Sequence, residues 1–372
     1  MDVLTYKCPN CGGPLTFNPE DQKFHCDYCL SIFTEEQVSA VANQQAAAQM
    51  GSDTTTQTID ATDSEATAAA FTETEPIEEA QLDLFLCPSC GAEIVTDTTT
   101  AATYCYYCHN PVVLSERLSG KFLPDKVLPF AVEKEEAVEK FIAWTKKKWF
   151  VPKNFFNKAQ IEKLTGVYFP YWVIDANLKG SLSATGTAIR VWRVGDIEYT
   201  ETKIYQVQRK GKLAFFDLVK NALSKNTQQK MVHMVQPFPL EKAVKFKSQY
   251  LSGFQAEKRD IEMQALQEEV RGDLKDYSED LLRDTVAGYA TVTNVNTNIA
   301  IENENNRYLL LPVWLVTYRS NGDGKKVYFY AMNGQTGKVS GILPISFGRL
   351  ALASLGIFAV VLLIALIGGY FI

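Results

Sequence analysis

The sequence has little of what enzymes and nucleic-acid-binding proteins usually need. Three histidines occur among its 372 residues, and it contains neither a Gly-x-x-x-x-Gly-Lys-Ser/Thr phosphate loop nor a Gly-x-Ser-x-Gly nucleophile elbow. Its net charge is −6, and no Lys or Arg lies between Lys23 and Arg117. Because nucleic acids are bound mainly through cations that contact phosphate, this composition disfavours a general nucleic-acid affinity. We therefore expect no enzyme, although an activity based on carboxylates in the central region stays open.

A secretory signal is also missing from the N-terminus, which favours a reducing cytosol for the eight cysteines. The cysteines form two quartets, and the second repeats the first 79 residues later. Each quartet reads Cys-x2-Cys, then fourteen residues, then Cys-x2-Cys, which indicates a duplicated module. The candidate metal ligands are Cys8, Cys11, Cys26, Cys29, Cys87, Cys90, Cys105 and Cys108.

The cysteine spacing predicts two zinc ribbons, each holding one structural zinc ion. Two residues between cysteines let a tight turn aim both sulfurs at one point, and Gly12 and Gly91 supply the open backbone that such a turn needs. Four thiolates close the coordination shell, so the metal is expected to be structural. Disulfides and a rubredoxin-type iron are the alternatives. His109 follows Cys108 directly, but we expect an ordinary surface histidine there.

Changes of composition divide the chain into five segments. Residues 35–80 are acidic and poor in apolar side chains, which predicts a disordered linker with, at most, a short helix within 35–48. Such a linker would leave the first ribbon on a flexible tether. The predicted segments are zinc ribbon 1 (1–34), the linker (35–80), zinc ribbon 2 (81–116), a duplicated α+β domain (117–345) and a transmembrane helix (350–372).

The central segment repeats one theme. A Pro-Phe pair, a helix and strands that include Pro-x-Trp occur at 129–178 and again at 237–332, which predicts two related α+β halves with antiparallel sheet. Strands are expected at 172–178, 199–208, 289–300, 308–319 and 327–332, with turns at Gly211 and at Asn321–Gly324. The Pro-x-Trp residues are expected to be core packing, with a ligand groove as the alternative.

Two helices are predicted in these halves. The first carries Val138, Phe141, Ile142, Thr145 and Trp149 on one face and ends at Pro152. Its run Lys146–Lys148 is either a solvated face or a contact for anionic lipid head groups. The second helix places Ile261, Leu266, Val270, Leu274, Tyr277 and Leu281 on one stripe.

The last segment, Leu350–Ile372, contains no charged residue. Twenty-three helical residues reach about 35 Å, which is enough to cross a hydrocarbon core of about 30 Å. Lys338 and Arg349 precede this stretch and no charge follows it. The positive-inside rule therefore predicts a single-pass membrane protein whose N-terminal bulk is cytoplasmic.

Several stretches together resemble a known family. These are the tandem Cys-Pro-x-Cys-Gly ribbons, the stretch Gly166–Trp172, the stretch Tyr250–Glu257 and the apolar tail. They are similar to bacterial zinc-ribbon membrane proteins labelled TFIIB-type zinc ribbon-containing, of the YdjG type. The resemblance implies a membrane anchor in the envelope stress response that recruits phage-shock protein A and an SPFH-type, flotillin-like protein. The expected function is a membrane-anchored cytoplasmic adaptor or scaffold. The alternative is a zinc-ribbon nucleic-acid-binding regulator tethered to the membrane.

Overall fold

The computed structural model describes residues 3–41, 82–152, 164–224, 234–319 and 327–370. Most of the predicted linker and the predicted turn Asn321–Gly324 lie outside these ranges. The helices are α1 (35–41), α2 (Lys134–Lys146), α3 (Met263–Asp284) and α4 (Phe347–Tyr370). The strands are β1 (Val3–Leu4), β2 (Leu15–Asn18), β3 (Lys23–Cys26), β4 (Ile32–Phe33), β5 (Leu82–Leu86), β6 (Glu93–Asp97), β7 (Thr100–Tyr104), β8 (Pro111–Leu114), β9 (Lys126–Val127), β10 (Thr165–Val194), β11 (Ile197–Asn221), β12 (Val244–Lys245), β13 (Gln255–Glu257), β14 (Thr291–Arg319), β15 (Val327–Asn333) and β16 (Val339–Ile342).

One mixed sheet organises this α+β protein. Its strand order is β1-β8-β7-β13-β10-β14-β15-β16, with β11 also paired to β10 and β9 paired to β14 and β12. At about 3.3 Å per residue, the thirty residues of β10 reach about 100 Å. β10 runs antiparallel to both β11 and β14. The other described sheets are small and belong to the cysteine modules.

The strands are longer than the sequence predicts. The two strands expected at 289–300 and 308–319 are one strand, β14, because β10 offers it a hydrogen-bonding ladder from Thr165 to Thr187. Gly211 does not turn the chain as expected, since it lies inside β11 opposite Gly180. The prediction of a strand at 327–332 is confirmed by β15.

The long strands β10 and β14 each carry a tryptophan that makes an equivalent hydrogen bond to a backbone carbonyl. Trp172 Nε1 donates to the Ile261 carbonyl over 3.0 Å, and Trp314 Nε1 donates to the Val132 carbonyl over 2.9 Å. Each long strand also pairs in parallel with a short strand, β10 with β13 and β14 with β9. The two tryptophans of the Pro-x-Trp motifs are therefore buried packing residues, as expected.

The middle of the sheet is covered on both faces. One face of β10 presents Tyr168 and Trp172 to the main core, and the other presents Phe169 and Tyr171 to a second core. The sequence alternation predicted a single buried face, which holds from Ala176 to Gly186, where every second residue is buried.

Helices α2 and α3, which pack on the sheet, differ from their predictions in length or in the residues that they bury. α2 ends at Lys146, so Trp149 lies beyond it and is 83% exposed, contrary to the predicted helical face. Phe141 of α2 packs edge-on against Tyr330, with ring centroids 4.4 Å apart. α3 buries Val270 and Leu274 as predicted, whereas Tyr277 and Leu281 of the predicted stripe remain about half exposed.

α4 is the one helix in the described ranges that is long and apolar enough to cross a membrane. It begins at Phe347, three residues before the predicted span, and no residue of its apolar window is buried against the rest of the protein. A helix that is apolar all round and unpacked is typical of a membrane anchor.

Candidate metal centres

The structure brings the four sulfurs of the first quartet together. Cys8 Sγ lies 3.5 Å from Cys29 Sγ, and Cys11 Sγ lies 3.4 Å from Cys26 Sγ. Four sulfurs each about 2.3 Å from a central ion would lie about 3.8 Å apart, so the group fits a tetrahedral metal site. A disulfide would need sulfurs about 2.05 Å apart, and all four cysteines are free thiols.

The second quartet has the same geometry. Cys87 Sγ lies 3.7 Å from Cys108 Sγ, and Cys90 Sγ lies 3.7 Å from Cys105 Sγ. In both quartets all four sulfurs fall within 4.8 Å of one another. Among the residues that the structure describes, these two groups are the clusters of side chains that could hold a metal ion. Each offers a closed set of four soft ligands.

A left-handed residue after each Cys-x2-Cys pair aims the sulfurs. Gly12 and Gly91, which the sequence analysis singled out, have φ of +75° and +73°. Leu30 and His109 occupy the same position after the second pair of each module, both with φ of +58°. Each of these residues donates its N–H to the carbonyl of the first cysteine of its pair, which closes the turn. His109 is exposed and lies outside the sulfur cluster, as expected.

The electrostatics of the sulfur clusters favour a bound cation. The Ser31 hydroxyl and N–H hydrogen-bond the Cys29 sulfur, which lowers the pKa of Cys29 to about 6. Burial and hydrogen bonds to neighbouring sulfurs raise the pKa of Cys108 to about 12. Four adjacent thiolates cannot all form without a counter-charge. A bound metal ion would supply that charge, and its binding would stabilise the fold of the module.

The first cysteine module is not free of the body, although the sequence predicted a flexible tether. Phe17 packs edge-on against Tyr250 with ring centroids 5.2 Å apart, and the Phe17 N–H donates to the Ser252 carbonyl over 3.0 Å. Helix α1, the start of the predicted linker, joins this contact, because Glu35 accepts a hydrogen bond from the Tyr250 hydroxyl over 2.8 Å and forms an ion pair with Lys247. Module 1, residues 3–41, is thus docked through buried aromatic contacts and a partly exposed ion pair.

The second cysteine module, residues 82–114, is part of the main sheet. β7 pairs with β13, and β8 pairs with β1 of module 1. Arg117, the first basic residue after Lys23, is 7% exposed and donates to Thr96 Oγ1 over 3.1 Å and to the Asp83 carboxylate over 2.5 Å. Its guanidinium also lies over the Phe85 ring. The sequence shows that no basic residue lies between Lys23 and Arg117, but it did not predict that Arg117 is buried and hydrogen-bonded to module 2.

The stretch Tyr250–Glu257, which carried much of the family resemblance, joins both modules to the body. Tyr250 contacts module 1, Phe254 stacks on Phe130 of the body with ring centroids 4.3 Å apart, and Ala256 pairs with Ala102 of module 2. The Tyr104 hydroxyl of module 2 donates to the carbonyl of Gly253, within the same stretch. One eight-residue segment therefore fixes the two candidate metal centres relative to the sheet.

These features define a protein with two four-cysteine centres, an α+β body and one apolar C-terminal helix. The chain is 30% identical over 349 residues to YdjG of Bacillus subtilis, which covers 94% of this chain and 92% of YdjG. The chain therefore belongs to the YdjG family. YdjG itself is described as an uncharacterized protein. No protein-family model matches the chain, and no solved structure is significantly similar to it.

Proposed function

We propose that this protein is a membrane-anchored cytoplasmic adaptor whose two zinc ribbons are structural and whose partners are other proteins. α4 would cross the bilayer once, with the body in the reducing cytoplasm, where thiolate-bound zinc is stable. Two cations agree with this orientation, Lys338 before α4 and Arg349 in its first turn. Both candidate zinc sites are closed by four cysteines, which leaves no open position for a reacting water.

The observation that carries the proposal is the protruding end of the β10–β11 hairpin. β14 stops pairing with β10 at Thr187, so the hairpin continues as two strands to its turn at Gly195. We call residues 188–205 the hairpin tip. Its exposed apolar side chains are Ile189, Val191, Trp192, Val194, Ile197, Tyr199, Ile204 and Tyr205, each at least 41% exposed. Trp192 pairs with Tyr199 and Val194 with Ile197, so these four side chains share one face of the hairpin. An exposed apolar cluster of this kind is typical of a protein interaction site.

The charges of the hairpin tip favour a protein partner over nucleic acid. Three cations and three carboxylates occur between residues 188 and 205, so the tip has no net charge. They are Arg190, Arg193, Lys203, Asp196, Glu198 and Glu201. A nucleic-acid surface would need a basic stripe. Trp192 and Tyr199 stack across the hairpin with ring centroids 5.7 Å apart, which gives the tip a rigid aromatic anchor.

The family resemblance suggests which proteins to look for. It implies phage-shock protein A and an SPFH-type protein as partners, and a role in the envelope stress response. Under this proposal the cysteine modules and the segment 250–257 hold the sheet rigid, α4 holds it at the membrane, and the hairpin tip binds the partner.

The test is affinity purification of the full-length chain from its native membrane in mild detergent, with partners identified by mass spectrometry. The variant Trp192→Ala/Ile197→Ser removes two exposed tip side chains, and Phe216→Ser, which is 72% exposed on β11 outside the tip, is the matched control. We expect phage-shock protein A or an SPFH-type protein with the wild type and the control, and a strong loss with the tip variant. Equal recovery with the tip variant would refute the hairpin tip as the binding surface. Recovery of RNA polymerase or nucleic acid in place of these proteins would favour the regulator.

A further inference from the structure

An open crevice lies beside the first turn of α4. Its volume is about 460 Å³, and it is bounded by the chain that follows α2 and by the segment 341–345 that precedes α4. Its apolar wall includes Trp144, Trp149, Phe150 and Ile345, and its cationic rim includes Lys147 and Lys148.

The crevice is fixed to the base of α4 by hydrogen bonds. The Ser346 N–H donates to the Phe150 carbonyl over 2.6 Å. The Arg349 guanidinium donates to the Trp149 carbonyl over 3.2 Å and to the Val151 carbonyl over 2.7 Å. Since Arg349 lies in the first turn of α4, the crevice stays where that helix would enter the bilayer. This step rests on the proposed membrane anchor.

The side chains around the crevice are unusual for a surface in water. Trp149 is 83% exposed, Phe347 is 81% exposed and Ile345 is 57% exposed. Trp and other amphipathic or apolar side chains gather at the boundary between lipid and water, where the ring is shielded and its polar edge stays hydrated. Trp149 and Ile345 line the crevice, and Phe347 is the first residue of α4.

The charge of the crevice is of one sign. Neither 144–152 nor 341–350 contains Asp or Glu, whereas Lys146, Lys147, Lys148 and Arg349 all lie there. The three lysines are exposed, and the Lys148 ammonium lies 5.2 Å from the centre of the Trp144 ring, on the crevice wall. This arrangement complements a phosphate at the edge of an apolar chain.

We infer that this crevice binds the head group of an anionic phospholipid of the bilayer in which α4 is anchored. Lys147 and Lys148 hold the phosphate, while Trp149 and Phe150 contact the upper part of the acyl chains. The body then contacts the membrane surface through this crevice. The orientation of the β10–β11 hairpin relative to the bilayer is therefore set by the lipid contact as well as by α4.

The test uses the full-length protein in detergent micelles, titrated with phosphatidylglycerol or with phosphatidylcholine and followed by native mass spectrometry. The variant Lys147→Gln/Lys148→Gln removes the cationic rim, and Lys210→Gln/Lys212→Gln, two exposed lysines on β11, makes the same charge change elsewhere. We expect phosphatidylglycerol to bind the rim variant about thirtyfold more weakly, because each lysine near an anionic surface contributes about fivefold. The control should bind like the wild type.

Equal binding of the two lipids by the wild type, or unchanged phosphatidylglycerol binding in the rim variant, would overturn the inference. Formation of dimers through the crevice in place of lipid binding would overturn it as well. Flotation of the full-length protein with phosphatidylcholine liposomes after an alkaline wash separates this failure from failure of the anchor. If the chain floats but shows no lipid preference, the membrane anchor is supported and the lipid site is refuted. If the chain does not float, both are refuted.

Discussion

Tyr250 holds module 1 against the body, and its replacement by alanine should release that module while the main sheet stays folded. The Tyr250 side chain is 7% exposed, its ring packs against Phe17 and Phe24, and its hydroxyl donates to Glu35. Truncating a buried aromatic side chain to alanine costs about 3–5 kcal/mol, which corresponds to at least a hundredfold increase in the population of the undocked state. The hydrogen bond to the carboxylate adds about 1.5–3 kcal/mol.

Hydrogen–deuterium exchange read by mass spectrometry measures this undocking directly. Peptides from residues 3–41 should exchange at least a hundredfold faster in Tyr250→Ala, and the Phe17 amide is a sensitive reporter because it donates across the contact. Tyr250→Phe keeps the ring packing and should produce a much smaller increase. Tyr28→Ala changes a tyrosine of module 1 that is 74% exposed, and it should leave the exchange nearly unchanged. Unchanged exchange of residues 3–41 in Tyr250→Ala would refute the docking and restore the freely tethered module.

Three further predictions concern the metal centres and the sheet. Elemental analysis should find two metal ions per chain, and Cys29→Ser should leave one, because each quartet forms its own closed site; a ratio unchanged by Cys29→Ser would contradict this. Trp172→Phe and Trp314→Phe should each lower the free energy of unfolding by about 1–3 kcal/mol in urea titrations, because each leaves a partly or fully buried carbonyl without its hydrogen-bond donor; a large difference between them would contradict the equivalence of the two contacts. Gly186→Ala should destabilise the protein by about 1–3 kcal/mol, because the new Cβ would lie 2.6 Å from the Tyr289 ring. Gly272→Ala, in open space on α3, should stabilise the protein by about 0.5–1 kcal/mol. Thermal unfolding measures both variants, and equal shifts of the melting temperature would refute the packing at Gly186.

The local features of this protein follow from the sequence because neighbouring residues determine them. The Cys-x2-Cys spacing places two sulfurs on one turn, and the structure brings both quartets of sulfurs together where the repeat indicated. The apolar run after Arg349 forms a helix for the same reason, since its composition alone sets its length and character. The left-handed backbone at Leu30 and His109 was not predicted, and leucine in particular rarely adopts it.

The contacts between segments could not be read from the sequence. Phe17 and Tyr250 are both aromatic residues in polar surroundings, and nothing in their local pattern says that they meet. Gly211 reads as a turn residue, yet the ladder with β10 carries β11 straight through it. Trp149 continues the helical periodicity of α2, but the helix ends before it, and its exposure makes sense only beside α4.

The distance along the chain between module 1 and its docking site affects the order of events during synthesis. Module 1 ends at residue 41, and about 210 residues follow before Tyr250 is made. At ~5–20 residues per second, module 1 waits roughly ten to forty seconds with the apolar surface around Phe17 uncovered. The first quartet is complete long before its neighbours exist, so any metal ion that it holds can be captured in this interval. The aromatic surface that Tyr250 later covers is therefore exposed for a limited time during synthesis, and its protection depends on how quickly the rest of the chain follows.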